Sequence, residues 1–289
     1  MTGKFIIVAM GWAVVLTGTS ARAQVTFPDL LHRWSADNTA EDAAGSADGV
    51  LNGAVSFSPG RFGQAFEIDA GEFITFGTNT ANVGTSDFTI SLWFRTDGPI
   101  KAALITKRDA CFFTSMIDVR TQENGSIGLE LSGAGGAGYT SFTAFGDIHD
   151  GQWHHLAYRR EGTTLTAFID GCLAGSDTTP LLVNFTNTAQ LTLGRSPCTN
   201  VDTTEEYDGA IDEVQIYTRA LSEKELDALA EATEGSSDLS GDGLVNGADL
   251  GMLLLAWGDC RDACCPADLN GDGEINGADL GMLLLDWTG

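Results

Sequence analysis

The sequence is short of positive charge. Fifteen Lys and Arg stand against 40 Asp and Glu, a net of −25 over 289 residues. That balance argues against nucleic acid and anionic membrane surfaces as partners, since neither phosphate nor anionic lipid finds its counter-charge here. Long apolar runs are also missing. The longest, Phe5 to Leu16, is 12 residues, short of the roughly 20 that cross a bilayer. Histidine occurs four times and never in HExxH spacing, so the usual zinc-hydrolase signature is absent. His154 and His155 are adjacent on a strand-like segment and therefore face opposite sides, where they cannot share one metal. Helical periodicity is rare: SEKELDALAEA (222–232) alone reads as a helix before the tail, with Ser222 as N-cap and Glu225 at the capping-box position.

What is present begins with an export-type leader. Lys4 supplies the positive start, Phe5 to Leu16 the apolar core, and Ala21-Arg22-Ala23 the small-residue cleavage pattern, so residues 1–23 are expected to be removed. Loss of Lys4 and Arg22 takes the net charge from −25 to −27. The expected location is secreted or at the cell surface.

Residues 24–232 read as all-β. Phe88, Ile90, Leu92 and Phe94 alternate with Thr89, Ser91, Trp93 and Arg95. HHLAYRR (154–160) and TLTAFID (164–170) are two further strands joined by Glu161-Gly162-Thr163. Short alternating runs divided by Gly, Asn and Asp predict a sandwich. Trp34, Trp93 and Trp153 are expected to pack it. Tyr139 lies in the Gly-rich stretch SGAGGAGYTSF (132–142), either as an aromatic face for a sugar ring or as part of a mobile loop without a ligand. Asp212 shares strand parity with Val214 and Ile216. Pointing inward, it needs backbone donors, an Arg or a calcium ion.

One stretch imitates catalysis. Glu67-Ile68-Asp69-Ala70-Gly71-Glu72 has the ExDxxE spacing of carboxylate pairs in glucanases, which must face each other across the sugar bond. Ala70-Gly71 reads instead as a turn, placing Glu67 and Glu72 on opposite arms of a hairpin.

After a short join (233–237) the tail contains one stretch twice. DLSGDGLVNGADLGMLLLAWG begins at Asp238 and DLNGDGEINGADLGMLLLDWTG at Asp268, a period of 30 residues. Each opens with a twelve-residue loop whose oxygens fall at positions one, three, five, seven, nine and twelve, with glycine at six. The first offers Asp238, Ser240, Asp242, the Leu244 carbonyl, Asn246 and Asp249. The second offers Asp268, Asn270, Asp272, the Glu274 carbonyl, Asn276 and Asp279. An oxygen-only set points to two Ca²⁺ ions. Eleven acids against the single base Arg261 in residues 233–289 fit cations that neutralise part of the charge. Leu250, Leu253, Leu254 and Trp257, repeated as Leu280, Leu283, Leu284 and Trp287, predict two helical stripes that bury each other, with Val245 and Ile275 pairing alongside.

Six cysteines fall in two odd sets, Cys111, Cys172 and Cys198, then Cys260, Cys264 and Cys265. Disulfides are expected in an exported chain. Local pairing favours Cys172 with Cys198, and Cys260 with Cys264 or Cys265; a bridge from Cys111 to the tail has no support from spacing.

The tail pair resembles the dockerin type I repeat over nearly all of residues 238–289. Loop followed directly by exit helix, with Asp at position twelve, is that family's arrangement, since GDCRDACCPA (258–267) leaves no room for an entering helix. The resemblance implies attachment to a cohesin-like partner. Against it stands the plainer account, two cations that only fold the tail. The tail departs from the family where Gly247-Ala248 and Gly277-Ala278 stand at the partner-choosing positions. A second resemblance covers most of 24–232. GRFGQAFEIDAGEFITF (60–76), SDFTISLWFRT (86–96), DGQWHHLAYRREGTTLTAFIDG (150–171), LTLGR (191–195) and YDGAIDEVQIYTRALSEKEL (207–226) are similar, in order, to the laminin G-like, concanavalin A-like jelly-roll family. It implies an all-β sandwich followed by a small α-helical calcium-loop domain, and a module that binds a glycan or another extracellular surface without catalysis. A glycoside hydrolase (or an accessory module of one) and a purely adhesive component are the competing readings.

Overall fold

The computed structural model describes residues 24–96, 101–112, 114–146, 148–201, 204–230, 237–240, 244–259, 266–270 and 274–289. The expected leader, most of the join, Asp242, Asp272, Cys260, Cys264 and Cys265 lie outside them.

Two antiparallel sheets form a sandwich. The eight-stranded sheet runs Cys172–Thr178, Thr164–Ile169, His154–Glu161, Phe88–Arg95, Gly209–Tyr217, Gln64–Ile68, Ser56–Pro59, with Leu30–Trp34 also paired to Gly209–Tyr217. The seven-stranded sheet runs Thr140–Ala144, Ile127–Ser132, Met116–Thr121, Ala103–Lys107, Leu191–Leu193, Phe73–Thr75, Val50–Asn52. Alternation decides which side chains meet between them. Ile90, Leu92 and Phe94 from one sheet face Ile117, Val119, Leu129 and Leu131 from the other in one buried core. Each such side chain contributes about 1.5–3 kcal/mol by leaving water.

The outer face of the larger sheet is covered too. Helix Glu223–Ala230 packs Leu226 and Leu229 on Ala157, Phe168 and Tyr217, with Phe27 beside them. Thr89, Ser91 and Trp93, which also point away from the sandwich core, are buried too: Thr89 bonds to Arg219 and Leu221, Ser91 to His155, and Trp93 packs against Phe62 and His155. The expected hairpin closes through Gly162-Thr163, with Glu161 opposite Thr164 and Gly162 at φ +58°, a conformation that a side chain disfavours.

Arg160 occupies a position that no pattern in the chain singles out. It is buried between the Phe88 and Phe185 rings and donates to the carbonyls of Val183, Gly84 and Ser86. Two loops at one end of the sandwich therefore close on a single guanidinium.

The structure corrects the expected pairing of Cys172 with Cys198. Cys198 is bonded to Cys111, because the loops carrying these two cysteines fold together beside the smaller sheet. Cys172 opens the edge strand of the other sheet. It is disulfide-bonded as well.

His154 begins its strand between two carboxylates. Nδ1 lies 2.8 Å from Asp170 Oδ2, and Nε2 lies 3.1 Å from Asp150 Oδ1. Burial pulls the imidazole pKa down, but the two carboxylates outweigh it and raise it above 6.5. The stabilisation is therefore complete below the unfolded value and is lost as pH rises through the folded one. Thermal melts should show the parent losing Tm as the pH rises above about 6.5, and His154→Gln should flatten that slope. A parent with no slope there would contradict the clamp.

Candidate functional site

The outward face of the smaller sheet carries charge where a solvated face would be expected to carry small polar groups. Ile117 and Val119 point inward, so Asp118 and Arg120 between and beyond them point out; Leu129 and Leu131 likewise turn Glu130 outward. Asp118 and Glu130 are register partners. Arg108, one residue past strand Ala103–Lys107, reaches both: Nη1 is 2.5 Å from Asp118 Oδ2 and 3.5 Å from Glu130 Oε2. Arg120 pairs with Glu130 Oε1.

These groups are almost out of water. The side chains of Arg108, Asp118, Arg120 and Glu130 are 2%, 1%, 8% and 14% exposed. Burial pushes the Asp118 carboxyl up, and the Arg120 and Arg108 guanidiniums pull against it. Arg108 also donates to the carbonyls of Ala110 and Cys111, and Ser196 Oγ lies 3.5 Å from Asp118 Oδ2. The disulfide-joined loops are thus tied directly to the charge cluster they cover.

Tyr139 sits at the rim of this cluster. Its ring is 52% exposed while its hydroxyl donates to Glu130 Oε1 at 3.1 Å. Burial and the Glu130 charge raise its pKa, so it remains a donor. The Gly-rich loop before it is fixed by contacts. A Cβ on Gly138 (φ +62°) would come within 2.7 Å of Val183 Cγ2, and Thr140 Oγ1 donates to Asp177 across to the other sheet's edge. Tyr139 thus stands half-exposed with its hydroxyl tied to the neighbouring strand. Glu130 and Arg120 were missed from sequence, although charged residues alternating with apolar ones in MIDVRT and IGLELS carried the signal.

The imitation catalytic pair is taken apart. Glu67 lies in the eight-stranded sheet and Glu72 immediately precedes a strand of the other, so residues 69–72 form a corner between sheets, not a hairpin tip. Glu72 accepts the amides of Ala54 (2.7 Å) and Asp69 (3.1 Å). Glu67 accepts Ser58 Oγ at 2.5 Å and faces Arg95 at 3.6 Å. Both carboxylates hold backbone and strand neighbours together. His155 is buried, its pKa pushed down to about 3 by desolvation, with Nε2 2.7 Å from Ser91 Oγ. Asp212 accepts the amides of Phe62 and Glu213, which answers its need for donors; burial pushes it up to about 8. Among the described residues no group of three or more His, Cys, Asp or Glu is placed to hold a metal.

The tail repeats fold alike. Asn246 caps helix Gly247–Leu255 by accepting the Ala248 amide, and Asp249 returns to the Asn246 amide. Asn276 and Asp279 do the same for helix Gly277–Leu285. The second oxygen of each Asp takes the amide of position three, Ser240 or Asn270, and the amides of Asn246 and Ser240 hold the Asp249 carboxyl below its usual range. Position twelve is thereby turned into the loop and buried in both repeats. Ser240 Oγ also reaches Asp238 Oδ1 at 3.3 Å. Asp268 stands at position one and Leu244 and Glu274 at position seven, Glu274 within a short strand, while Asp242 and Asp272 fall outside the described residues. An oxygen-only set with a buried inward carboxylate fits a hard divalent cation.

Pairing between the repeats is reciprocal. Val245 exchanges hydrogen bonds with Thr288, beyond the second helix, and Ile275 pairs with Gly258, beyond the first. Val245, Leu253, Leu269, Ile275 and Leu283 share one core. The expected helical stripes are only half buried. Leu253 and Leu283 are inside, but Leu254, Trp257, Leu284 and Trp287 remain exposed, as do Leu255 and Leu285. Nine-residue helices crossing over so small a core turn one side chain per repeat fully inward.

Residues 69–227, more than half of the chain, match the family described as the concanavalin A-like lectin/glucanases superfamily, of the Laminin G 3 type. No curated protein matches. Among solved structures, the binding domain of Paraclostridial Mosquitocidal Protein 1 is similar at TM-score 0.57 and 18% identity, over 72% of this chain and 53% of that one. Domain 4 of AbnA, a GH43 extracellular arabinanase from Geobacillus stearothermophilus, solved with arabinotriose, is similar at TM-score 0.58 and 20% identity, over 70% of this chain and 98% of that one. The botulinum neurotoxin serotype D binding domain gives TM-score 0.57 at 15% identity, over 71% and 52%. The chain spans about half the length of the two toxin domains. Likeness at these identities establishes the fold.

Removing one partner of the buried cluster should be costly. Arg108→Ala leaves Asp118 without its nearest counter-charge and should lower stability by about 3–5 kcal/mol in urea unfolding. Arg108→Met with Asp118→Leu should recover most of it. A single substitution of negligible effect would show that water, not Arg108, compensates Asp118.

Proposed function

The chain belongs to the concanavalin A-like lectin/glucanases superfamily, and from that premise we propose that it is an exported, non-catalytic binding protein. Its sandwich takes a glycan, and a calcium-loaded, dockerin-like tail attaches it to a cohesin-like partner.

One observation carries the glycan reading: the half-exposed Tyr139 ring, held by its hydroxyl beside Glu130 and Arg120. Sugar sites pair an aromatic surface with a few fixed polar groups, and this face supplies both. The arabinotriose bound to domain 4 of the arabinanase, which shares the fold, supports the same reading. The structural duties of Glu67 and Glu72 speak against hydrolysis. Export is supported by the leader-like start of the chain and by the disulfides.

The tail reading rests on duplication. Two loops with the same capping geometry, each with a buried Asp at position twelve, Asp249 or Asp279, support a pair of calcium sites. Asp238, Ser240, Asp242, Asn246 and the Leu244 carbonyl complete the first set, and Asp268, Asn270, Asp272, Asn276 and the Glu274 carbonyl the second. Calcium would supply the counter-charge that lets these carboxylates come together.

Incubated with β-glucan, laminarin, arabinan and xylan, the protein should be retained on at least one polysaccharide and release no reducing ends. Turnover that vanishes in Glu67→Gln would replace this reading with an enzyme. For the tail, circular dichroism of the full chain should show a helical contribution that is lost on chelation and restored by Ca²⁺. Asp279→Ala should shift the midpoint to higher calcium, by about ten-fold or more for loss of a bidentate carboxylate. A helical signal indifferent to chelator would remove calcium from the account.

A further inference from the structure

The charge on the Tyr139 face identifies what kind of glycan it accepts. Both guanidiniums at its centre already face carboxylates: Arg108 faces Asp118 at 2.5 Å and Glu130 at 3.5 Å, and Arg120 faces Glu130. The cluster is therefore neutral as a unit, two positive against two negative. An anionic polysaccharide could recruit either arginine only by separating a pair. Recruiting Arg108 would take from the completely buried Asp118 its nearest counter-charge, and recruiting Arg120 would break its pair with Glu130 and weaken its pull on Asp118, a strongly unfavourable outcome in low dielectric. Around the cluster the rest of the molecule is acidic, at −25 overall, and its field repels uronate and sulfate before contact.

An uncharged sugar meets none of these obstacles. Glu130, 14% exposed, presents carboxylate oxygens that accept from hydroxyls; Arg120, 8% exposed, presents donors at its edge. Charge-assisted hydrogen bonds of this kind bind neutral hydroxyls without disturbing the ion pair. The exposed Tyr139 ring offers an apolar face for the C–H side of a pyranose or furanose, and Glu130 fixes its orientation through the hydroxyl. We propose that the outward face of the seven-stranded sheet is specific for neutral polysaccharide, with Tyr139 as the stacking residue and Glu130 and Arg120 as its hydroxyl-reading pair. This rests on the glycan reading above.

The test is affinity electrophoresis and calorimetry of the full chain on two panels. Arabinan, xylan, galactomannan and laminarin form the neutral one; alginate, polygalacturonate and carrageenan the charged one. At least one neutral polymer should bind, with affinity unchanged between about 0.05 and 0.5 M NaCl. Tyr139→Ala should weaken it roughly ten-fold, and Tyr139→Phe, which keeps the ring and loses the tether, by no more than about three-fold. Far-ultraviolet dichroism confirms that both variants fold. Tyr139-dependent binding of a charged polymer alone would overturn the neutrality while leaving the glycan reading standing. Neutral binding that ignores Tyr139→Ala would overturn the assignment of this face. A parent that binds neither panel would overturn the glycan reading itself, and the specificity with it.

Discussion

Four charges held out of water on an outward sheet face constrain everything around them. Arg108, Asp118, Arg120 and Glu130 would each be costly alone, so they must sit within reach of one another and under cover. Register supplies the first condition by setting Asp118 opposite Glu130. The loops joined by Cys111 and Cys198 supply the second, tied down by Arg108 and near Ser196. Tyr139 then inherits its position from Glu130. The side of the sandwich proposed to bind is thus arranged by a demand that belongs to folding, which gives a pre-organised surface without a dedicated support.

Much of the fold was legible because period-two patterning reports directly on which side chains face the core. Ile90, Leu92 and Phe94 were assigned to one face, and they line it. The helix at Glu223–Ala230 was legible from its Ser222–Glu225 cap. Arg160 was not, because the three carbonyls it satisfies come from residues 84 to 183, and only the folded chain brings them together. The corner between Glu67 and Glu72 was misread as a hairpin tip for a related reason. A tight turn looks the same in sequence whether its arms pair with each other or enter separate sheets. Tyr139 was recognisable as an aromatic in a Gly-rich loop, but its partner Glu130 lies on the strand Ile127–Ser132, which was not singled out. The Cys111–Cys198 bond escaped because spacing says nothing about which loops cross the same face.

The tail shows how duplication substitutes for size. Neither nine-residue helix is long enough to be stable alone, and the shared core around Leu253 and Leu283 is small. What joins the halves is the crossing of backbone pairs, Val245 with Thr288 and Ile275 with Gly258. Each loop is completed by chain that follows the opposite helix. A disturbance in one repeat is therefore felt in the other through main-chain hydrogen bonds as well as packing.

The bond between Cys111 and Cys198 spans 87 residues and closes them into a ring. Such closure removes conformational freedom from the unfolded chain on the order of 4–5 kcal/mol. It also changes what a cut means. The strands from Met116 to Leu193, including those that carry Asp118, Arg120 and Glu130, all lie inside the ring. A protease that cleaves the Gly-rich segment before Tyr139 opens the ring but divides nothing, since the chain still runs from one end to the other through the sulfurs. The strands on either side stay paired, and the two new ends remain part of one covalent molecule. The surface proposed to touch the outside world is carried largely by a stretch of the sandwich that can be nicked without being shed.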